Sequence, residues 1–210
     1  MRQFSTALIL GTALLFTAST ASAKRGYDST ITHVPNQAIR IDVSLSDDLA
    51  SRADASADGS KHCSIRRSSI RNGFACGGYF GQRDLDALLE KIETHTTKSL
   101  SKKDISVSNE ADLVLKLTLV DVQNNRPTQR QIGEQVTLSF QSFQLGGADF
   151  TGELLAADGT SLGTMSYSYH ESFIDEFSQA RGIWTDTNRA IEFFATRLAK
   201  DLAKQKGKGA

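Results

Sequence analysis

The segment AIRIDVSL, residues 38–45, alternates apolar and polar side chains. Its apolar residues run from Ile39 to Leu45 at every second position, and polar residues separate them. A period of two is typical of a strand with one buried and one solvated face. The same period recurs in ADLVLKLTLVDV, within residues 105–122, where both faces are apolar. We therefore predict a half-buried first strand and a long central second strand.

Three further strands are expected after the polar turn near Pro127. Val136–Phe140 alternates and should form a third strand that ends near Gly146. Residues 150–156 and 162–169 flank Asp158-Gly159, and an Asp-Gly pair between alternating segments favours a tight hairpin. The pattern therefore predicts a meander of four strands.

Apolar residues spaced by three and four predict two helices. One pattern starts at Asp84, which is placed to cap the helix, and ends near Lys102. The other follows Thr185, a second candidate cap, and carries an apolar stripe from Ile191 to Leu202. Trp184 precedes this helix and is expected to pack against the core.

The order strand, helix, four strands, helix predicts an α+β fold. We expect a mainly antiparallel five-stranded sheet with both helices on one face. The expected domain spans residues 24–204, with an insertion at 46–80 where the periodicity stops, and residues 205–210 form a tail.

Residues 1–23 have the composition of a cleaved signal peptide. Arg2 precedes an apolar run from Ala7 to Phe16, and small residues end at Ala23. We expect cleavage after Ala23, a periplasmic or secreted protein, and no transmembrane segment in the mature chain. Without Arg2 the mature chain has a formal net charge of −1, which argues against nucleic acid as a partner.

Cys63 and Cys76 lie in the insertion and are the only 2 cysteines. In an exported protein, two thiols separated by a short loop are expected to pair. A loop of this size would stabilise the fold by roughly 3 kcal/mol on the chain-entropy account. A zinc site with His62 is the alternative, but it lacks a second pair of closely spaced ligands.

The insertion also carries a run of basic residues that no acidic residue interrupts. Guanidinium groups form bidentate hydrogen bonds with phosphate or carboxylate, so these basic residues could bind an anionic envelope component or an envelope protein. Aspartates upstream, from Asp42 to Asp58, could instead neutralise it. The aromatics of Gly77–Gly81 form either part of this contact surface or an anchor for the following helix. The basic residues are Lys61, Arg66, Arg67, Arg71 and Arg83.

No catalytic, cofactor or metal site is predicted. Gly159–Gly163 matches G-x-S-x-G, but it falls in a hairpin rather than in the strand, turn and helix that a nucleophilic serine requires. The four histidines are scattered. His170 and Glu171, followed by Asp175 and Glu176, could form an acid-base cluster, although charged residues also gather in solvated loops.

The long strand ADLVLKLTLVDV, the hairpin FTGELLAADGTSLGTMSYSY and the helix NRAIEFFATRLAKDL together resemble small bacterial envelope proteins of unknown function. Their domain is similar to the amino-terminal domain of the TolB periplasmic protein and to the curli secretion channel component. The resemblance covers roughly residues 38–204 without the insertion, and it implies no catalytic residue. Those proteins are often lipoproteins, whereas this chain has no cysteine at the cleavage site.

Export, fold pattern and the absence of a chemical motif favour a non-enzymatic periplasmic accessory or binding protein in an envelope complex. A small-ligand or lipid carrier is one alternative, and it predicts an apolar cavity between sheet and helices. An envelope hydrolase that uses His170 is the other.

The disulfide can be tested directly. Alkylation of the non-reduced mature protein, followed by mass spectrometry, should leave Cys63 and Cys76 unmodified, because a disulfide has no free thiolate. Two alkylated cysteines would show that the pairing is wrong.

Overall fold

The chain forms an α+β fold with a five-stranded mixed sheet, seen in a computed structural model that describes residues 26–53, 80–134, 136–171 and 182–206. The α+β class and the number of strands in the sheet are confirmed. The strands are β1 Gly26–Ser29, β2 Ile39–Leu45, β3 Leu113–Gln123, β4 Gly147–Leu155 and β5 Ser161–His170. The helices are α1 Asp47–Ser51, α2 Gln82–Ser101, α3 Gln129–Glu134 and α4 Thr185–Gln205.

The strands lie in the order β1-β5-β4-β3-β2. β2 pairs parallel to β3, and the other three pairings are antiparallel. The sheet is therefore mixed, and our expectation of a mainly antiparallel sheet is wrong. The reason lies in the connection: α2 carries the chain back along the sheet, so β3 starts at the same end as β2.

The expected element order is also wrong, because two strands precede α2 and three follow it. β1 has the sequence GYDS, which shows no apolar alternation, and it forms by pairing with β5. Val136–Phe140 is not a strand. Val136 and Phe140 are exposed at 102% and 66%, and β3 pairs with β4 instead.

The predicted hairpin is confirmed, with β4 and β5 joined through Asp158-Gly159. Gly159 has a φ of 82°, a left-handed conformation that favours glycine. The Thr160 backbone N–H donates to the Asp158 carboxylate at 2.8 Å, and this bond lowers the pKa of Asp158.

Both helix starts differ from the predicted caps. Gly81 is the N-cap of α2, and Asp84 in the first turn accepts a hydrogen bond from the Trp184 indole at 3.1 Å. Trp184 is the N-cap of α4, so Thr185 is already the first helical residue. Trp184 is buried, and its ring lies 5.4 Å from that of Phe80. Asp84 thus serves to join the two helix starts.

The predicted insertion begins and ends with residues that belong to the core. Ser46 caps α1 by accepting the Leu49 backbone N–H, and Leu49 is fully buried. Phe80 is fully buried as well, and the Arg52 guanidinium lies 4.6 Å from the centre of its ring. Phe80 is therefore an anchor for α2. Residues 54–79 lie outside the described part of the chain.

The helices α2 and α4 run in the same direction. Trp184 contacts Asp84 at their starts, and Lys206 donates to the Asp104 carbonyl beyond their ends. α4 packs on β4 and β5, and α2 packs on β2 and α4. The buried strand residues on this side include Leu113, Leu115, Leu117, Leu119, Ala148, Phe150, Leu154, Met165 and Tyr167.

Neighbouring phenylalanines of α4 offer a matched test of this core. Phe194 is fully buried and stacks on Phe150 at 4.7 Å, whereas Phe193 is 44% exposed. We expect Phe194→Ala to lower the free energy of unfolding by about 3–5 kcal/mol, because it leaves a cavity in the core. Phe193→Ala should cost less than about 1 kcal/mol. Urea denaturation measures both, and equal losses would contradict this packing.

Candidate functional site

The middle of the sheet face opposite α2 and α4 is polar, whereas Val114 and its partner Leu155 lie farther along the same face. Thr151 of β4 pairs with Thr118 of β3 on one side and with Ser166 of β5 on the other. This row continues to Ser44 of β2 and Asp28 of β1, which close it at the two sheet edges. The alternation of each strand places these side chains away from the core. One row of short polar side chains therefore crosses all five strands.

A parallel row of longer side chains lies beside it. Lys116 pairs with Asp42 of β2 and with Glu153 of β4, and Glu153 pairs with Thr164 of β5. Lys116 and Thr164 are exposed. The β1, β3, β4 and β5 members of the two rows line an open groove of about 520 Å³. Its lining is Asp28, Ser29, Thr30, Lys116, Thr118, Thr151, Gly152, Glu153, Thr164, Met165 and Ser166.

The groove is bounded on one side by the chain that follows β1. The Thr164 backbone N–H donates to the Thr30 hydroxyl at 2.9 Å, and the Thr30 N–H donates to the Thr164 carbonyl at 2.9 Å. Gly163 has a φ of 136°, and a Cβ there would lie 2.8 Å from the Ile31 backbone. A side chain at Gly163 would therefore displace this border, which requires glycine.

Sequence reasoning missed the groove, although part of its signal is visible. Lys116 and Thr118 stand between the buried leucines of β3, so their outward direction follows from the alternation. Their neighbours across the sheet depend on the strand order. Since β1 was not predicted, Asp28 and Ser29 could not be placed beside Ser166.

Within the described residues, the structure gives His170 and Glu171, two members of the predicted cluster, different partners. The His170 Nε2 atom lies 3.0 Å from the Asp149 carboxylate, and its Nδ1 atom lies beside the position that a Cβ of Gly147 would occupy. Glu171 is buried and accepts a hydrogen bond from the Tyr169 hydroxyl at 3.0 Å. Asp175 and Glu176 lie outside the described residues. Asp149, which β4 brings to His170, was missed because its position depends on the β4–β5 register.

Glu171 is held by two further elements. Arg189 of α4 contacts its carboxylate at 3.4 Å, and the Glu171 backbone N–H donates to the Gly146 carbonyl. Desolvation and the hydrogen bond to Glu171 raise the pKa of Tyr169, against the lowering effect of Arg189. These contacts join the end of β5 to the start of α4, which is a structural role.

A buried polar network at the same end of the sheet joins β3, β4 and α4. Asp186 accepts hydrogen bonds from the Asn125 side-chain amide at 2.5 Å and from the Gly146 backbone N–H at 3.0 Å. The Asn125 oxygen in turn accepts the Asp186 backbone N–H at 2.8 Å. Thr187 bonds the carbonyls of Gln123 and Gly147. The network fixes α4 at the ends of two strands.

The structure places one of the predicted basic residues. Arg83 is exposed in the first turn of α2. The other four basic residues, Lys61, Arg66, Arg67 and Arg71, and both cysteines, Cys63 and Cys76, lie outside the described part of the chain. Ser161 of the G-x-S-x-G match is exposed as the first residue of β5, so a strand follows it rather than a helix.

Within the described ranges, no group of three or more histidine, cysteine, aspartate or glutamate side chains is placed to hold a metal ion. No helix of the same residues is long and apolar enough to cross a membrane.

Comparison with known proteins found no matching family model and no matching curated protein. Solved structures with some likeness include the PelC dodecamer from Paraburkholderia phytofirmans in two forms. A variant shares 11% identity over 83% of this chain and 96% of that chain, with a TM-score of 0.38. The other shares 9% over 86% and 95%, with a TM-score of 0.37. Likeness at this level carries no inference about fold or function.

The buried network predicts that the Asp186 carboxylate contributes to the stability of the fold. Asp186→Ala should lower the free energy of unfolding by about 1–3 kcal/mol, since it leaves the Asn125 amide and the Gly146 N–H without this acceptor. Asp112→Ala, at an exposed aspartate, is the control and should change it by less than about 0.5 kcal/mol. If chemical denaturation finds no difference between them, the network does not hold α4.

Proposed function

We propose that the protein is a non-enzymatic binding protein of the bacterial cell envelope, where it acts as an accessory factor in a complex. Its contact surface is the open face of the sheet. The observation that carries this proposal is the hydroxyl-lined groove across Thr118, Thr151 and Ser166. The signal-peptide pattern of residues 1–23 supports the envelope as its location.

The chemistry of the groove suits a polar partner. Hydroxyl groups both donate and accept hydrogen bonds, so a row of them adapts to a partner of mixed polarity. Lys116 supplies a positive charge beside the row, and Asp28 and Glu153 supply negative charges. The groove is open to solvent, and α2 and α4 pack on the other face of the sheet. The groove is therefore accessible without movement of α2 or α4.

The alternative functions receive less support from the same contacts. Rings of Phe150, Tyr167 and Phe194 occupy the interface between sheet and helices, where a carrier would need an apolar cavity. Among the described residues, His170 contacts a carboxylate, Asp149, through Nε2, and its Nδ1 atom lies beside Gly147. A histidine base requires a hydrogen bond to the group that it activates, and neither of these neighbours is a hydroxyl or a thiol.

The open face can be tested with a matched pair of threonines. Thr151 is exposed in the groove, and Thr196 is exposed on α4. Affinity purification of the mature protein from gently solubilised native envelope should recover a stoichiometric partner. We expect Thr151→Arg to lose that partner, because a long charged side chain fills the groove, and Thr196→Arg to retain it.

The same experiment separates the sheet face from the basic residues of the insertion. A triple variant, Arg66→Glu with Arg67→Glu and Arg71→Glu, tests the anion-binding hypothesis beside the threonine pair. Loss of the partner in the triple variant alone would move the contact to the insertion. Retention of the partner by Thr151→Arg, in a variant with unchanged circular dichroism, would rule out the open face.

A further inference from the structure

The loop between α3 and β4 presents large apolar side chains to solvent. Val136 is fully exposed, and Phe140 and Phe143 are exposed at 66% and 55%. We call residues 136–146 the aromatic loop. Single exposed apolar residues are common on protein surfaces, but several large ones in one short loop indicate a site of interaction. This exposure therefore requires an explanation that the open face of the sheet does not supply.

Hydrogen bonds within the loop hold its tip in a turn. The Ser139 backbone N–H donates to the Ser142 hydroxyl at 3.1 Å, and the Ser142 N–H donates to the Ser139 carbonyl at 2.9 Å. The Gln141 N–H donates to the Ser139 hydroxyl at 3.2 Å. Three backbone donors beside Phe140 are thus paired inside the turn, so their burial in an apolar environment breaks no hydrogen bond with water.

The base of the loop is fixed to the fold. The Gln144 backbone N–H donates to the Asn125 carbonyl at 2.9 Å, and the Gln144 side-chain amide donates to the Asn124 carbonyl at 2.8 Å. Asn124, Asn125 and Gln144 are all buried. The phenylalanines therefore lie on an anchored loop. Binding through this loop loses less conformational entropy than binding through an unanchored loop would.

The loop has no charge to desolvate. From Val136 to Ala148 the sequence contains no Asp, Glu, Lys or Arg. The Arg126 guanidinium lies at the edge of the loop, where it donates to the Phe140 carbonyl at 3.1 Å. Aromatic rings next to an arginine match the chemistry of a bilayer interface, where apolar groups enter the acyl boundary and a cation lies among phosphates.

We propose that the aromatic loop binds a phospholipid surface, with Phe140 and Phe143 inserted into the interface without crossing the bilayer. A protein partner is less suited to this loop, because protein interfaces surround an apolar centre with a polar rim that pairs with the partner. The absence of charged residues from 136 to 148 and the three paired backbone N–H groups at the tip favour lipid, because unpaired backbone groups are costly in an apolar environment.

Vesicle sedimentation of the mature protein tests the proposal. Vesicles of phosphatidylcholine alone, and of phosphatidylcholine with phosphatidylglycerol, should both bind the protein, and the second should bind more strongly at low salt. The double variant Phe140→Ser with Phe143→Ser should raise the lipid concentration for half-maximal binding by at least about tenfold, because it removes the inserted apolar area.

Phe193→Ser is the matched control. Phe193 is an exposed phenylalanine on α4 and is not part of the aromatic loop, so the same substitution there should leave vesicle binding unchanged. Circular dichroism and thermal melting verify that each variant is folded. The proposal is overturned if the unmodified protein does not sediment with either vesicle, or if the double variant binds as well as the control. It is equally overturned if the double variant loses only a protein partner.

Discussion

The stack of Phe194 on Phe150 and Tyr167 determines where α4 lies, and the rest of the structure depends on that position. The ring centres are 4.7 Å and 5.9 Å apart, and Phe194 and Phe150 are almost parallel, at 4°. All three side chains are buried. Aromatic rings bury a large apolar area each, so this contact holds α4 over the two strands of the hairpin. Asp186 and Thr187 then tie the start of the helix to β3 and β4.

The parallel pairing of β2 with β3 is the second constraint on the fold, because it places α2 on the same face of the sheet as α4. α2 connects these strands, and it lies beside α4 on the same face, where Trp184 and Asp84 join the two helix starts. Apolar strand residues point toward the helices, and the alternation therefore leaves polar residues on the other face. In the described chain, the groove of Lys116, Thr118 and Thr151 follows from packing both long helices on one side.

Local patterns predicted much of the fold. The hairpin, β2, β3 and both long helices follow from periodicity and from the Asp158-Gly159 turn, which depend on neighbouring residues. β1 was missed because its four residues have no apolar alternation and its pairing with β5 joins distant parts of the chain. The Val136–Phe140 strand was wrong because exposed apolar residues in an anchored loop can alternate too. The groove and the Asp149–His170 contact also join residues that are distant in the sequence, so neither could be predicted from sequence alone.

The central claim is that one face of the sheet is packed and the other is a contact surface. Photo-crosslinking in intact cells tests this most directly, with a photoreactive amino acid introduced at Thr151 in the groove or at Thr196 on α4. We predict a discrete crosslinked product from position 151 and none from position 196. Crosslinks from position 196 alone, or from neither position, would contradict the account.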